Sequence, residues 1–315
     1  MPLEDWEPTK QTLHLYCQIL GKLRMAHTAP RNHWWHVPLY ISTRGLTTGP
    51  MHLAGIDFDV ELDVVGHAAV ARNHLGDATR VDLRDGLAVA EFWTGLHAAL
   101  DGIGVRPEIN PRPFDLPVAT PFPQDTEHAA YDAAAVERWW TVLRWSRGVF
   151  EEFAGWSNGK SSPVHLFWHS FDLAVTRFSG RRAPTRPGAD PVTAEAYSHE
   201  VISFGLWPGD HRVPFPAYYS YAAPEPEGLA DEPLQPAAAG WHGEAGQHMA
   251  RLPYEDCRTA ASPKEALLAF LQSAYEAGAR RAHWDTADLA TSWSPLPPHG
   301  GPTGPEDAWA TAITC

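Results

Sequence analysis

Apolar positions along this chain recur at two periods, and the change from one to the other marks out its elements. Leu13, Tyr16, Leu20 and Leu23 fall at helical spacing, which predicts a helix over residues 8–26 with Thr9 or Thr12 placed to cap it. After a turn at Pro30, residues 33–44 read as a strand. Ile56, Phe58, Val60, Leu62 and Val64 then alternate with Asp57, Asp59, Glu61 and Asp63. That period of two predicts an antiparallel strand with one buried face and one acidic, solvated face. Short strands at 67–73 and 79–83 and a helix over 86–100, with Phe92, Trp93, Leu96 and Leu100 on one side, complete the first run. Residues 107–123 hold six prolines and read as a connector laid over the surface.

The second run begins in the same way. A helix is predicted over 133–153, carrying Val136, Trp139, Trp140, Leu143 and Phe150. Strands follow at 163–177, 197–206 and 217–222, and a closing helix at 263–280. Trp35-His36 stands before Thr43-Arg44 at the spacing that separates Trp168-His169 from Thr176-Arg177, and each pair comes after a long helix. The repeat predicts an α+β protein of two related halves, residues 1–106 and 132–293, each a mainly antiparallel sheet with flanking helices. Residues 107–131 would connect them, and the Pro- and Gly-rich residues 294–315 would form a disordered tail. Halves packed about a pseudo-two-fold would leave a ligand cleft between them.

Composition narrows the function classes. A chain of 315 residues is long enough to bury a core without disulfides. Its net charge of −14 offers no basic stripe to displace phosphate counterions, which argues against a nucleic-acid partner. No run approaches the roughly 18 apolar residues of a membrane span. Cys17, Cys257 and Cys315 are scattered without a CxxC pair, and the N-terminus lacks a signal-peptide pattern, so a cytoplasmic location is expected. Sheet edges left open would favour a homodimer. The unusual counts are 17 His and 14 Trp.

Two familiar motifs are rejected on element order. Gly155-Trp156-Ser157-Asn158-Gly159 fits a nucleophile elbow, but that turn needs a strand before the serine and a helix after it, and here the order is reversed. Gly159-Lys160-Ser161 resembles the end of a P-loop, yet Ala154 stands where its first glycine belongs. Lys160 remains as an anion contact.

The histidines suggest a metal, since neutral imidazole is a common transition-metal ligand. His33 and His36 fall on opposite faces of a strand, whereas His165 and His169 share one. His36, His165, His199 and Glu200 form the ligand pool for iron or another transition metal, two histidines and a glutamate making a facial triad. The alternative is that these histidines are hydrogen-bonded core groups packed against Trp34, Trp35 and Trp168. Asp172, mid-strand between Phe171 and Leu173, must be paired or face a wet cleft, and could serve as general base or orient a histidine. Arg44, Arg177 and Arg181 could hold a carboxylate or phosphate, or pair with the chain's own acids. Trp35 and Trp168 could wall the pocket.

The strings Asn32-His33-Trp34-Trp35-His36-Val37-Pro38-Leu39-Tyr40, residues 171–184 from Phe171 to Pro184, and Tyr197-Ser198-His199-Glu200 resemble a bacterial family of uncharacterised proteins, DUF5996, over about residues 3–284. The resemblance brings no chemistry with it. The residues themselves point to an enzyme acting on a small anionic metabolite by redox or hydrolytic chemistry, as a metal-dependent oxidoreductase would, through a metal held by His and Glu, with Asp172 and Glu200 as catalytic groups. Two alternatives stay open: a metal-free acid–base enzyme using His199, Glu200 and Asp172, and a non-catalytic small-molecule-binding protein.

Overall fold

The computed structural model describes residues 2–185 and 187–291. Helix α1 (Glu7–His27) opens with Pro8 in its first turn, where a missing N–H is tolerated. Its Tyr16 stacks on Phe92 of α2 (Val89–Gly102) at 4.0 Å. Between these helices run β1 (Tyr40–Ile41), β2 (Gly45–Thr47), β3 (Met51–Leu53), β4 (Ile56–Asp63), β5 (Ala68–Asn73) and β6 (Ala78–Asp82). They form an antiparallel sheet in the order β1-β2-β4-β5-β6, with β3 folded back on the start of β4. The alternation in β4 works as the pattern requires: Phe58, Val60 and Leu62 enter the core. The opposite acidic face is largely neutralised within the sheet. Arg72 reaches Asp59 at 3.3 Å and Glu61 at 2.9 Å, and Arg44 reaches Asp63 at 2.6 Å.

The second half starts at α3 (Ala133–Ala154), capped by Asp132, whose carboxylate accepts from the Ala134 and Ala135 amides. It continues through β7 (His165–Phe167), β8 (Asp172–Arg182), α4 (Pro191–Ala196), β9 (His199–Trp207), β10 (Ala217–Ala223), β11 (Gly240–His242), β12 (Met249–Pro253), α5 (Tyr254–Arg258) and α6 (Pro263–Arg281). These strands form an antiparallel sheet in the order β11-β12-β10-β9-β8-β7. One of its faces packs on α3 and α6, through contacts such as Phe153 with Phe204 at 4.9 Å and Arg177 with Tyr275 at 4.6 Å. Both halves therefore run helix, meander, helix: α1-β1-β2-β4-β5-β6-α2 and α3-β7-β8-β9-β10-β12-α6.

The sheets meet edge to edge. Buried Leu39 and Leu166 exchange both backbone hydrogen bonds, at 2.9 and 2.8 Å. Around this bridge one apolar core runs through both halves, so most of the seam is filled and not an open cleft. Trp168 helps lock it: its indole lies flat on Gly21 of α1, where a Cβ would come within 2.1 Å, and its N–H donates to the Val37 carbonyl at 3.0 Å. A residue with any side chain at position 21 would push the second half off α1.

Two expected strands are corrected. Residues 33–44 begin as a tight turn at Asn32–Trp34, with His33 and Trp34 at φ 56° and 60°, and only Tyr40–Ile41 becomes strand before the next turn. Residues 163–177 are divided between β7 and β8 by a turn that carries Trp168 and His169. Trp35-His36 precedes β1 while Trp168-His169 follows β7, so the order of elements repeats but these dipeptides are not equivalent. Residues 294–315 lie outside the described residues. Among the described residues no helix is long and apolar enough to cross a membrane.

Candidate functional site

The turn after α1 presents His33 and Trp35 to one set of polar groups and Trp34 and His36 to another. On the first side, residues 160–162 run beside β8: the Phe178 amide donates to the Lys160 carbonyl at 3.0 Å, and the Ser162 amide to the Thr176 carbonyl at 2.8 Å. This pairing sets Lys160 over the rings of Trp35, at 5.1 Å, and Phe178, at 5.0 Å. Its Nζ lies 2.6 Å from His33 Nε2. His33 Nδ1 is 3.2 Å from the Ala196 carbonyl at the end of α4. A carbonyl only accepts, so Nδ1 carries the proton and Nε2 is the lone-pair nitrogen that accepts from Lys160. Burial, and then the Lys160 charge, hold His33 below the ordinary histidine range. Although Lys160 is exposed, the partial loss of solvent around its ammonium pulls it below the usual lysine range, an effect that Glu195 partly offsets.

His199 completes this group, its ring 5.5 Å from that of His33. Ser198 Oγ donates to the Glu195 carbonyl at 2.9 Å and so accepts from His199 Nδ1 at 3.1 Å. The proton on Nδ1 leaves Nε2 of His199 as a basic nitrogen. Trp35, Phe178, Tyr197 and Tyr221 form a small apolar patch around these polar heads, separate from the main core. An exposed lysine, a buried neutral imidazole and a second basic imidazole are thus gathered on one aromatic floor. Such a set can bind an anionic oxygen and move a proton.

On the other side of the turn lies Arg24, at the last turn of α1. Its guanidinium donates to the Thr48 carbonyl and sits 5.0 Å from the Tyr40 ring. That ring is 6.3 Å from His165, which is wholly buried. His36 belongs here too. Its Nδ1 accepts from the Arg31 amide at 3.2 Å, its ring is 5.1 Å from Trp34, and the Arg24 charge adds to burial in holding it below the ordinary range.

The predicted site residues are divided among these places. His36 and His165 are on the Arg24 side, while His199 is on the Lys160 side. Glu200 is taken by Arg181, whose Nε and Nη2 both donate to its Oε2, at 2.9 and 2.7 Å. The metal ligand pool therefore does not converge, and a cation beside His36 and His165 opposes a metal ion there. Among the described residues no group of three or more His, Cys, Asp and Glu side chains is arranged to hold one. Glu200 serves a latch, since Arg181 also donates to the Ala282 and His283 carbonyls at the end of α6. Arg177 is buried between the rings of Phe153 and Tyr275 and donates to the Phe153 carbonyl; Arg44 is committed to Asp63. Neither is free to hold substrate. Asp172 accepts from Tyr219 and Ser170, and Trp168 is core. Of the expected substrate contacts, Lys160 and Trp35 come together.

Sequence reasoning passed over Arg24 and Glu195. Arg24 is one more cation on an amphipathic helix, and its burial depends on β1 and β7. A separate surface groove of about 1210 Å³, lined by Thr141, Val142, Pro214, Phe215, Pro216 and Tyr254 among others, contains none of the predicted residues.

Two antiparallel sheets, each flanked by its own pair of long helices and joined at one edge beside two basic clusters, define an α+β protein of repeated topology. The chain belongs to the DUF5996 family, a family of unknown function whose model matches residues 1–291. No curated protein and no solved structure matches it.

Proposed function

We propose that this protein is an enzyme that moves a proton on a small anionic metabolite at the Lys160–His33–His199 cluster. The contact that carries the reading is Lys160 Nζ to His33 Nε2 at 2.6 Å, with the His33 tautomer fixed by the Ala196 carbonyl. Lys160 supplies positive charge to an anionic oxygen of the substrate, and charge placed where an oxyanion develops is the strongest kind of stabilisation. His199 Nε2 is the base that takes the proton. His33 holds the lysine in place and accepts from it. A residue at positive φ without being glycine is held there by its surroundings, and such positions gather at functional sites. His33 and Trp34 are two in succession.

Incubation in D2O with a panel of small carbonyl acids, read by NMR, tests the reading. Solvent deuterium should enter one class of acid, and exchange should fall about 100-fold or more in His199→Gln and Lys160→Met. Exchange that is absent across the panel, or equally fast in both variants, overturns it.

A further inference from the structure

The Arg24 side of the turn concentrates buried polar atoms that lack a partner. Among the described residues Arg24 Nε, His27 Nε2, Trp34 Nε1 and His165 Nδ1 are each buried without a hydrogen bond. Most buried polar groups in folded proteins are paired, so several orphans around one guanidinium need an account. Guanidinium and indole N–H groups can only donate, so the missing component is an acceptor. Charge selects its kind. Arg24 forms no ion pair with a carboxylate among the described residues, and burial keeps His165 neutral. The charge of Arg31 also reaches Arg24, but that side chain is exposed, so the buried part of the site carries the single positive charge of Arg24, which favours a monoanion over a doubly charged phosphate. The guanidinium donates to the Thr48 carbonyl and also bonds Tyr40, while its Nε–H is left without a partner and can donate to a carboxylate oxygen.

We propose that this cluster of unpartnered buried nitrogens binds the carboxylate of a small organic acid, at the junction of the two halves. Tyr40 on β1 and His165 on β7 flank the Leu39–Leu166 bridge, so an anion held by Arg24 between them would tie one sheet to the other. The site is distinct from the Lys160 cluster, which the turn at Asn32–Trp34 faces away from it.

The test is thermal unfolding of the full chain, dialysed into chloride, with sodium acetate, inorganic phosphate or sodium chloride added at equal ionic strength. Acetate should raise Tm by about 2 °C or more above chloride, and phosphate should not. Trp34→Phe and His165→Leu each remove one orphaned nitrogen and should abolish the acetate increment while keeping the far-UV circular dichroism of the parent. Lys160→Met, across the turn, should retain the increment. The proposal is overturned by no acetate-specific rise, by a phosphate rise as large as that of acetate, or by an increment that survives Trp34→Phe and His165→Leu but is lost in Lys160→Met. This last pattern would leave the Lys160 reading standing alone.

Discussion

The hydroxyl of Tyr219 donates to the Asp172 carboxylate across the bare backbone of Gly205. Tyr219 on β10, Gly205 on β9 and Ala174 on β8 lie in register, and Asp172 is the next residue of β8 on the same face. A Cβ at position 205 would come within 2.4 Å of the Tyr219 ring and hydroxyl, so the tyrosine reaches its partner only because glycine is there. With Ser170 also donating to Asp172, the carboxylate is buried with its oxygens satisfied.

Gly205→Ala should therefore displace Tyr219 and strand Asp172. Overpacking and an unpaired buried carboxylate together are expected to lower stability by about 2–4 kcal/mol, read as a shift in the urea midpoint. Tyr219→Phe should lose less, because the ring still covers Gly205.

The Arg181–Glu200 pair gives a second prediction. Both side chains keep some exposure, 48% for Arg181 and 19% for Glu200, so the pair itself is worth about 1 kcal/mol or less. Glu200→Gln should leave proton-transfer activity near that of the parent. Arg181→Ala should release the last turn of α6 and speed amide hydrogen exchange around residues 278–283. A loss of activity in Glu200→Gln with unchanged stability would return Glu200 to the catalytic machinery.

Acid should weaken the fold through two histidines. Burial pulls His165 down to about 3 and His14 down to about 4. In the unfolded chain both protonate near pH 6.5. Below that pH the unfolded state holds more protons than the native state, so their contribution is fully present above about 6.5 and is lost as the pH falls towards 4. His165→Leu removes one of these titrations and should flatten the fall of the urea midpoint between about pH 6.5 and 4.5. Equal slopes in parent and variant would show that His165 is not held neutral.

Much of the scaffold was legible because its periodicity survives folding. In β4 the apolar positions enter the core and most of the acidic ones meet arginines, so the period of two reports a real division of faces. The long helices were legible for the same reason. The turns at His33 and Phe171 were not: both take positive φ, at 56° and 60°, without glycine or asparagine to signal it. Aromatic and apolar residues on either side of each turn read as continuous strand. The division of His33 from His36 was visible in their spacing, although a turn and not a strand separates them. What placed His33 on Lys160, and Arg24 beside His165, was the meeting of distant segments, which local pattern does not encode.

The state of the His33 imidazole tests the central claim most directly. Long-range proton–nitrogen NMR on the labelled full chain should find His33 neutral at pH 7, protonated on Nδ1, with Nε2 at the shift of an accepting nitrogen. In Lys160→Met its titration should move upward, because a neighbouring positive charge has been removed. A His33 protonated on Nε2, or a titration that Lys160→Met leaves unmoved, would contradict the proposed proton-transfer site.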